Sequence, residues 1–408
     1  MSQQAIEYAW RQLASRAGIV LENGAVTGLE GLHLPIFYGD SERVLLPEPG
    51  LIVSRCADSS WDSLLTAPEN SLHWVSAKEA FPPGARPPFN NQIPVLLWGV
   101  EHSGQRKPFA EQRADGSVVF YADILAASFF MLARLEEIVI PARDKHERFP
   151  ATISVAYRQG FLDIPVVDQY AIILREWLKT LLPGWIPQPR KFEIRLTHDI
   201  DHVRQFTGLG AFGRAAGRAL LKEANLPKLF DQFIAFNTQT FAPRHDMFYR
   251  AIYDLAKASE EHNMKSRFYF MTAAPGPYQD GYSPASPLVQ KCINDLCERG
   301  HEIGLHPGYS TLRNPQLLVI EKLKLEQVLG RAVMGGRQHY LRFQAPETWR
   351  NWESAGLHYD SSLGFAEQEG FRAGTCYPYY PFDLEKNREI RVQEVPLIVM
   401  DVTLFSYR

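Results

Sequence analysis

Cysteine is scarce, with four in 408 residues: Cys56, Cys292, Cys297 and Cys376. None follows the close pairing of a metal knuckle, and the five-residue step from Cys292 to Cys297 turns the two thiols to different faces of a helix. They read as reduced, packed thiols. An excess of either charge is also missing, because 43 basic residues face 46 acidic ones and the net charge is -3. Overall composition therefore shows no electrostatic footprint for nucleic acid or an anionic membrane. Long apolar runs are absent too. The longest, residues 122–135, is broken by Asp123 and Arg134 and is too short to span a bilayer. The first ten residues hold neither a basic stretch nor an apolar core of the secretory kind, so the expected location is cytoplasmic. No internal repeat is evident.

What remains is a chain that can bury a sizeable core, with 45% hydrophobic and 22% charged residues. Its length suits two domains. Residues 3–16 carry Ile6, Tyr8, Ala9, Trp10 and Leu13 between polar positions, which predicts an amphipathic helix. Short strand-like runs follow at 44–46, 51–53, 93–98 and 118–121, separated by Pro and Gly as in a small mixed sheet. Residues 123–137 read as a buried helix capped by Asp123, and 168–182 as another helix ended by Pro183-Gly184. Three prolines, Pro183, Pro187 and Pro189, mark the linker, giving a mixed α/β domain over 1–187 and a second domain over 188–408.

Beyond that linker the rhythm becomes strand, loop, helix. Strands are expected at 191–196, 267–271, 301–306 and 340–343, with two more near 359–362 and 394–401; helices are expected at 246–263, 287–299 and 314–329. Alternating βα units imply a parallel sheet, and polar residues gathered at strand ends imply a barrel with its site at that mouth. The densest packet is Thr197-His198-Asp199-Ile200-Asp201-His202. Carrying the alternation of a strand through it places Thr197, Asp199 and Asp201 on one side and His198, Ile200 and His202 on the other. Two carboxylates so placed repel unless a metal, a cation or a shared proton sits between them. An acidic loop with a helix cap is the plainer alternative. His306, Arg342 and Asp360 stand at later strand ends, where a barrel would bring all of them to one rim.

These residues carry a resemblance. Thr197-His198-Asp199-Ile200-Asp201, then Gly300-His301-Glu302-Ile303-Gly304-Leu305-His306, then Leu341-Arg342-Phe343-Gln344-Ala345-Pro346, and Gly356-Leu357-His358-Tyr359-Asp360-Ser361-Ser362 resemble the motifs of the polysaccharide deacetylases, metal-dependent carbohydrate esterases on a distorted (β/α) barrel. Upstream, Arg148-Phe149-Pro150-Ala151, Pro165-Val166-Val167-Asp168 and the stretch 123–137 resemble the domain that precedes this barrel in a bacterial subgroup tied to surface polysaccharide synthesis. The resemblance implies a divalent metal, with zinc the expected ion, held by Asp201 and His306. It implies Asp199 as general base, oriented by Arg342 through a charge-assisted hydrogen bond. The implied reaction is removal of acetyl from an N-acetylated sugar or polysaccharide, a hydrolase reaction, in bacterial cell-surface glycan synthesis.

Two features depart from the family pattern. Where a second ligand His is expected after His306 the chain has Ser310 and Thr311, while catalytic zinc takes three protein ligands. His301, His198 and His202 face the wrong side of a regular strand, and Asp199 is the other donor at hand. The sequence also stops after the sixth expected strand, before the family's last strand with its acid-donating His, so either the sequence is a truncated form or the acid comes from elsewhere, with His245 and His339 as unranked candidates. The aromatic loop 370–382 is either a sugar-facing wall or a rigid plug. A catalytically silent carbohydrate-binding or scaffolding relative therefore stands beside the enzyme as the second functional reading.

Overall fold

The computed structural model describes residues 1–19, 34–68, 72–89, 92–100, 107–206, 208–279 and 281–406. Tyr407 and Arg408 lie outside the described residues. The fold is mixed α/β and divides into two compact units. One comprises Met1–Phe192, Phe343–Arg350 and Leu363–Arg408, the other Glu193–Arg342 and Asn351–Ser362.

The first unit begins with α1 (Gln3–Ala17), which Ser2 caps by accepting the Ala5 N–H and which ends at Gly18 in the left-handed region. Tyr8, Ala9 and Leu13 bury its apolar face. Its strands are β1 (Ile36–Gly39), β2 (Leu51–Ser54), β3 (His73–Ser76), β4 (Gln92–Val95), β5 (Ala110–Gln112) and β6 (Val118–Phe120). Four of them form a sheet in the order β1-β2-β6-β5, parallel except for β5, while β3 and β4 make an antiparallel pair. The central strands β2 and β6 are buried at every position, so they read as continuous apolar runs rather than alternating ones. The run at 44–46 is not a strand; Leu45 is exposed there.

Next comes α2 (Ile124–Leu132), buried all round and capped by Asp123, followed by α3 (Val166–Leu181). The helix expected over 123–137 breaks at Arg134, which takes the left-handed region at φ 54°. That break aims the Arg134 guanidinium inward at Glu136 and Glu137, each 2.8 Å away, and Arg372 closes the group 2.6 Å from Glu137. All four side chains are buried. Burial works against the Glu137 carboxylate, but the two arginines outweigh it and bring its pKa down to about 2.

The second unit has the strands β7 (Thr197–Ile200), β8 (Arg267–Met271), β9 (Glu302–His306), β10 (Gly335–Gly336) and β11 (Tyr359–Asp360). They lie in sequence order, β11-β10-β9-β8-β7, with parallel pairing throughout. Parallel neighbours need long crossovers, and the connecting chain supplies α4 (Leu209–Leu221), α5 (Leu226–Phe241), α6 (Met247–Glu261), α7 (Pro287–Glu298) and α8 (Pro315–Leu329).

Three expected strands move. Residues 191–196 are irregular, with Phe192 90% and Ile194 52% exposed, so their apolar alternation buries nothing and the strand starts at Thr197. The fourth strand is Gly335–Gly336 rather than 340–343, where His339–Leu341 form a single turn of 3₁₀ helix. Over 394–401 the chain is extended only at Gln393–Glu394 and turns helical at Asp401–Ser406. Among the described residues the strands form open sheets, not a closed barrel.

β10 can pass close to β9 only because Gly336 has no side chain: a Cβ there would collide with the Leu305 carbonyl. Gly336→Ala is expected to lose about 1–3 kcal/mol of stability by overpacking. Urea unfolding of the two proteins measures the difference.

Candidate metal centre

Three strands of the second unit deliver a polar group at or just past their C-terminal ends. β7 stops at Ile200 and Asp201 follows; β9 ends on His306; β10 ends at Gly336 and is followed by Arg337, Gln338 and His339. Because the strands are parallel, these ends lie on one edge of the sheet. Asp201, His306 and His339 bring their donor atoms together there.

The protonation pattern of the two imidazoles follows from their partners. His306 Nδ1 lies 2.7 Å from the Arg337 carbonyl, and His339 Nε2 lies 3.0 Å from the Tyr278 carbonyl. A carbonyl only accepts, so the proton of each ring is assigned to that nitrogen, and the other nitrogen keeps its lone pair. Those two lone pairs, His306 Nε2 and His339 Nδ1, face each other at 3.0 Å. Asp201 Oδ1 completes a triangle, 3.2 Å from His306 Nε2 and 3.4 Å from His339 Nδ1. Although 46% of the Asp201 side chain is exposed, Oδ1 itself is sealed from solvent and has no aligned hydrogen bond.

Three acceptors pointing at one small gap repel unless a cation sits among them, a shared proton or a metal ion. Two imidazole nitrogens and a carboxylate oxygen form a usual donor set for zinc, and a tetrahedral ion with bonds of about 2.0–2.2 Å sets its donors roughly 3.3–3.6 Å apart. The residues fit such an ion. Each imidazole is held by a hydrogen bond on its far side, the arrangement that orients metal-binding histidines. Where a proton rather than a metal ion sits among the three, the imidazoles become donors to Asp201 and, against burial, hold its pKa far below the usual carboxylate range. Burial alone would lower the His306 pKa, yet Asp199 and Asp201 raise it.

Arg337 ties the neighbouring groups together. Its Nη1 meets Asp199 Oδ1 at 3.0 Å, its Nη2 donates to Thr197 Oγ1 at 2.8 Å, and its Nε donates to the Ser361 carbonyl at 2.9 Å. Burial disfavours its charge, but Asp199 and the underlying Tyr269 ring keep the guanidinium protonated. Thr197 and Asp199 thus share the side that strand alternation predicts. The arginine that meets Asp199 is Arg337, not Arg342. Arg342 lies over the Tyr309 ring, 3.7 Å from its centroid, and donates to the Tyr309 carbonyl.

The remaining sequence candidates have other surroundings. His301 Nδ1 accepts from the Ser266 N–H and its Nε2 meets Glu260, while His198 lies against Phe268 and within reach of Ser266 Oγ. His202 packs edge-on to Phe248, and His245 is exposed in the turn Pro243–His245. Thr311 Oγ1 meets the Gly308 carbonyl and Gln338 Oε1. Within loop 370–382, Tyr379 and Phe382 are buried in the first unit and Tyr377 lies under Arg190. The aromatics beside the histidines are Tyr278, Tyr309 and Tyr340: Tyr278 and Tyr309 stack at 4.0 Å, and Tyr340 stands edge-on to His339 at 4.6 Å.

Sequence reasoning named His339 only as a possible acid donor and did not single out Arg337, whereas the structure sets His339 beside Asp201 and His306 and Arg337 beside Asp199. The signal that could have found them is Gly335-Gly336-Arg337-Gln338-His339, two glycines for close strand approach followed at once by an arginine and a histidine.

Residues 68–183 match a family of unknown function, DUF7033. No curated protein matches. Among solved structures, a crystal structure from Mycobacterium smegmatis with a provisional polysaccharide deacetylase title matches over 50% of this chain at 17% identity and a TM-score of 0.30. This chain spans 57% of that one. No helix among the described residues is long and apolar enough to cross a membrane.

Asp360, at the end of β11, is fully buried. Its Oδ1 accepts from the Ser362 N–H and hydroxyl at 3.1 and 2.5 Å, while Oδ2 has no partner. Burial pushes its pKa up to about 7 against the pull of Ser362 and Arg337. The folded chain therefore binds an extra proton between about pH 4 and pH 7, and this contribution to stability falls as pH rises through that window. Asp360→Asn is expected to remove it. In urea unfolding, the stability of the parent minus that of the variant should be larger at about pH 5 than at about pH 8.

Proposed function

We propose that the chain is a metal-dependent hydrolase that removes the acetyl group from an N-acetylated sugar, on an open relative of the deacetylase-type (β/α) barrel. The observation that carries this reading is the convergence of Asp201 Oδ1, His306 Nε2 and His339 Nδ1 beside an Asp199–Arg337 pair. The metal would be held by Asp201, His306 and His339, with zinc the ion best suited to that donor set. Such an ion supplies Lewis acidity toward a carbonyl oxygen and brings the pKa of water toward neutrality.

The chain's own residues do the rest. Arg337 occupies Asp199 Oδ1, which leaves Oδ2 to accept a proton from the attacking water. Arg337 also ties that carboxylate to Thr197 on the same strand, so the base is oriented before substrate arrives. Tyr278 and Tyr340, both partly exposed, offer ring faces on which the apolar face of a hexose can pack. The products are acetate and an amino sugar, and surface-glycan synthesis is the setting that the sequence resemblance supplies. The silent-relative reading rested on two missing histidines, a metal ligand and an acid donor, and His339 can fill the first of these places.

The test is metal content by elemental analysis followed by acetate release. The parent is expected to hold about one divalent ion per chain, and Asp201→Ala, His306→Ala and His339→Ala are each expected to lose it. Asp199→Asn should keep the ion and lose about 10²–10⁴-fold in turnover, the usual contribution of a general base. A parent that stays metal-free after reconstitution with zinc overturns the proposal.

A further inference from the structure

The crossover between β7 and β8 carries a feature that the candidate centre does not use. α4 and α5 form a hairpin whose inner side is aromatic: Phe212 stacks on Phe236 at 4.5 Å, and Phe206 meets both rings at 5.7 and 6.2 Å. Its root is fixed by polar contacts. Gln239 accepts from the Phe206 N–H at 2.8 Å and donates to the Phe206 carbonyl at 3.0 Å, and Asp246 accepts from the Gln205 N–H at 3.1 Å.

The other side of α5 is turned inside out. Leu226, Phe230, Phe233, Ile234 and Phe241 fall at i, i+4, i+7, i+8 and i+15, a single stripe about 100° wide of the kind that normally faces a core. Here the stripe faces solvent, with exposures of 65, 65, 55, 48 and 82%. Leu221, at the end of α4, is likewise exposed at 84%. In all of α4 and α5 only Ala219 and Gln239 are buried.

Charge is equally uneven. Between positions 202 and 250 the sequence has seven Lys and Arg against three Asp and Glu, in a chain whose net charge is -3. Arg214, Arg218, Lys222, Lys228 and Arg244 are all exposed, whereas Asp246 is buried in its capping role. The charged residues of α5 itself are only Lys228 and Asp231, so the cationic excess lies on α4 and in the flanking turns. Protein interfaces are depleted in lysine, while an exposed Leu/Phe stripe in a hairpin rich in exposed Lys and Arg suits a lipid headgroup layer. At 16 residues α5 is too short to span a bilayer, and it needs only to lie flat.

We propose that the α4–α5 hairpin is an interfacial anchor that lays its Leu/Phe stripe into an anionic membrane surface while its cations meet the lipid phosphates. The hairpin begins eight residues after Asp201, so the loop that supplies a donor to the candidate centre also supplies the anchor. The inference stands apart from what the centre hydrolyses.

Co-sedimentation of the full chain with vesicles tests it. The parent is expected to pellet with phosphatidylcholine vesicles containing about a third phosphatidylglycerol, and to bind at least about tenfold more weakly to phosphatidylcholine alone. Arg214→Glu with Arg218→Glu, and separately Phe230→Asp with Phe241→Asp, should each weaken binding at least about tenfold while leaving melting temperature and metal content as in the parent. Absence of binding to the anionic vesicles at low salt overturns the proposal, as does binding that neither double variant changes. A lipid-free dimer that Phe230→Asp with Phe241→Asp converts to monomer also overturns it, by assigning the stripe to a second copy of the chain.

Discussion

A buried guanidinium cannot give up its proton, so everything around Arg337 must accommodate a permanent positive charge. Its side chain holds Asp199 and Thr197 on β7 and the Ser361 carbonyl just past β11, while its own carbonyl takes the proton of His306 and its N–H donates to Leu305 on β9. One residue thus fixes the relative height of three strand ends. Removing the guanidinium would leave Asp199 without its counter-charge and loosen the frame that aims His306. A buried ion pair of this kind adds little stability compared with an apolar substitute, and its value lies in holding groups where chemistry needs them.

Two of the three candidate donors were legible in the sequence for a physical reason. His306 ends a run that the chain does use as strand, and Asp201 follows Thr197–Ile200, the strand through which the alternation was carried on from 191–196. Thr197 and Asp199 were legible on the same ground. His339 and Arg337 were not, because β10 is only two glycines long and carries no apolar signature. The apolar look of Tyr340-Leu341-Arg342-Phe343 drew the expected strand past them, although Tyr340 and Leu341 take the left-handed region at φ 61° and 52°, which no strand permits. The opposite error occurred at 191–196, where clean alternation had nothing to pack against. Periodicity records what a segment could bury, and only a neighbouring surface decides whether it does.

The first unit shows the same limit in its core. The buried helix after Asp123 was plain from composition, because a segment apolar on all sides belongs inside. Its break at Arg134 was not, since the reason for it includes Arg372, which lies 235 positions away from Glu137 in sequence. A charge that reads as an interruption of an apolar run is here one member of a closed network of two arginines and two glutamates.

The two imidazoles of the candidate centre are both anchored by main-chain carbonyls, those of Arg337 and Tyr278. A substitution can delete a carboxylate or a hydroxyl, but no substitution deletes a carbonyl. The tautomers of His306 and His339 are therefore inherited from the path of the backbone: the side chain at 278 can change without altering which nitrogen of His339 offers its lone pair, whereas the one at 337 matters only through the strand ends that its guanidinium holds. In a lineage whose sequences diverge widely, the protonation pattern of such a centre would outlast the identities of the residues that enforce it.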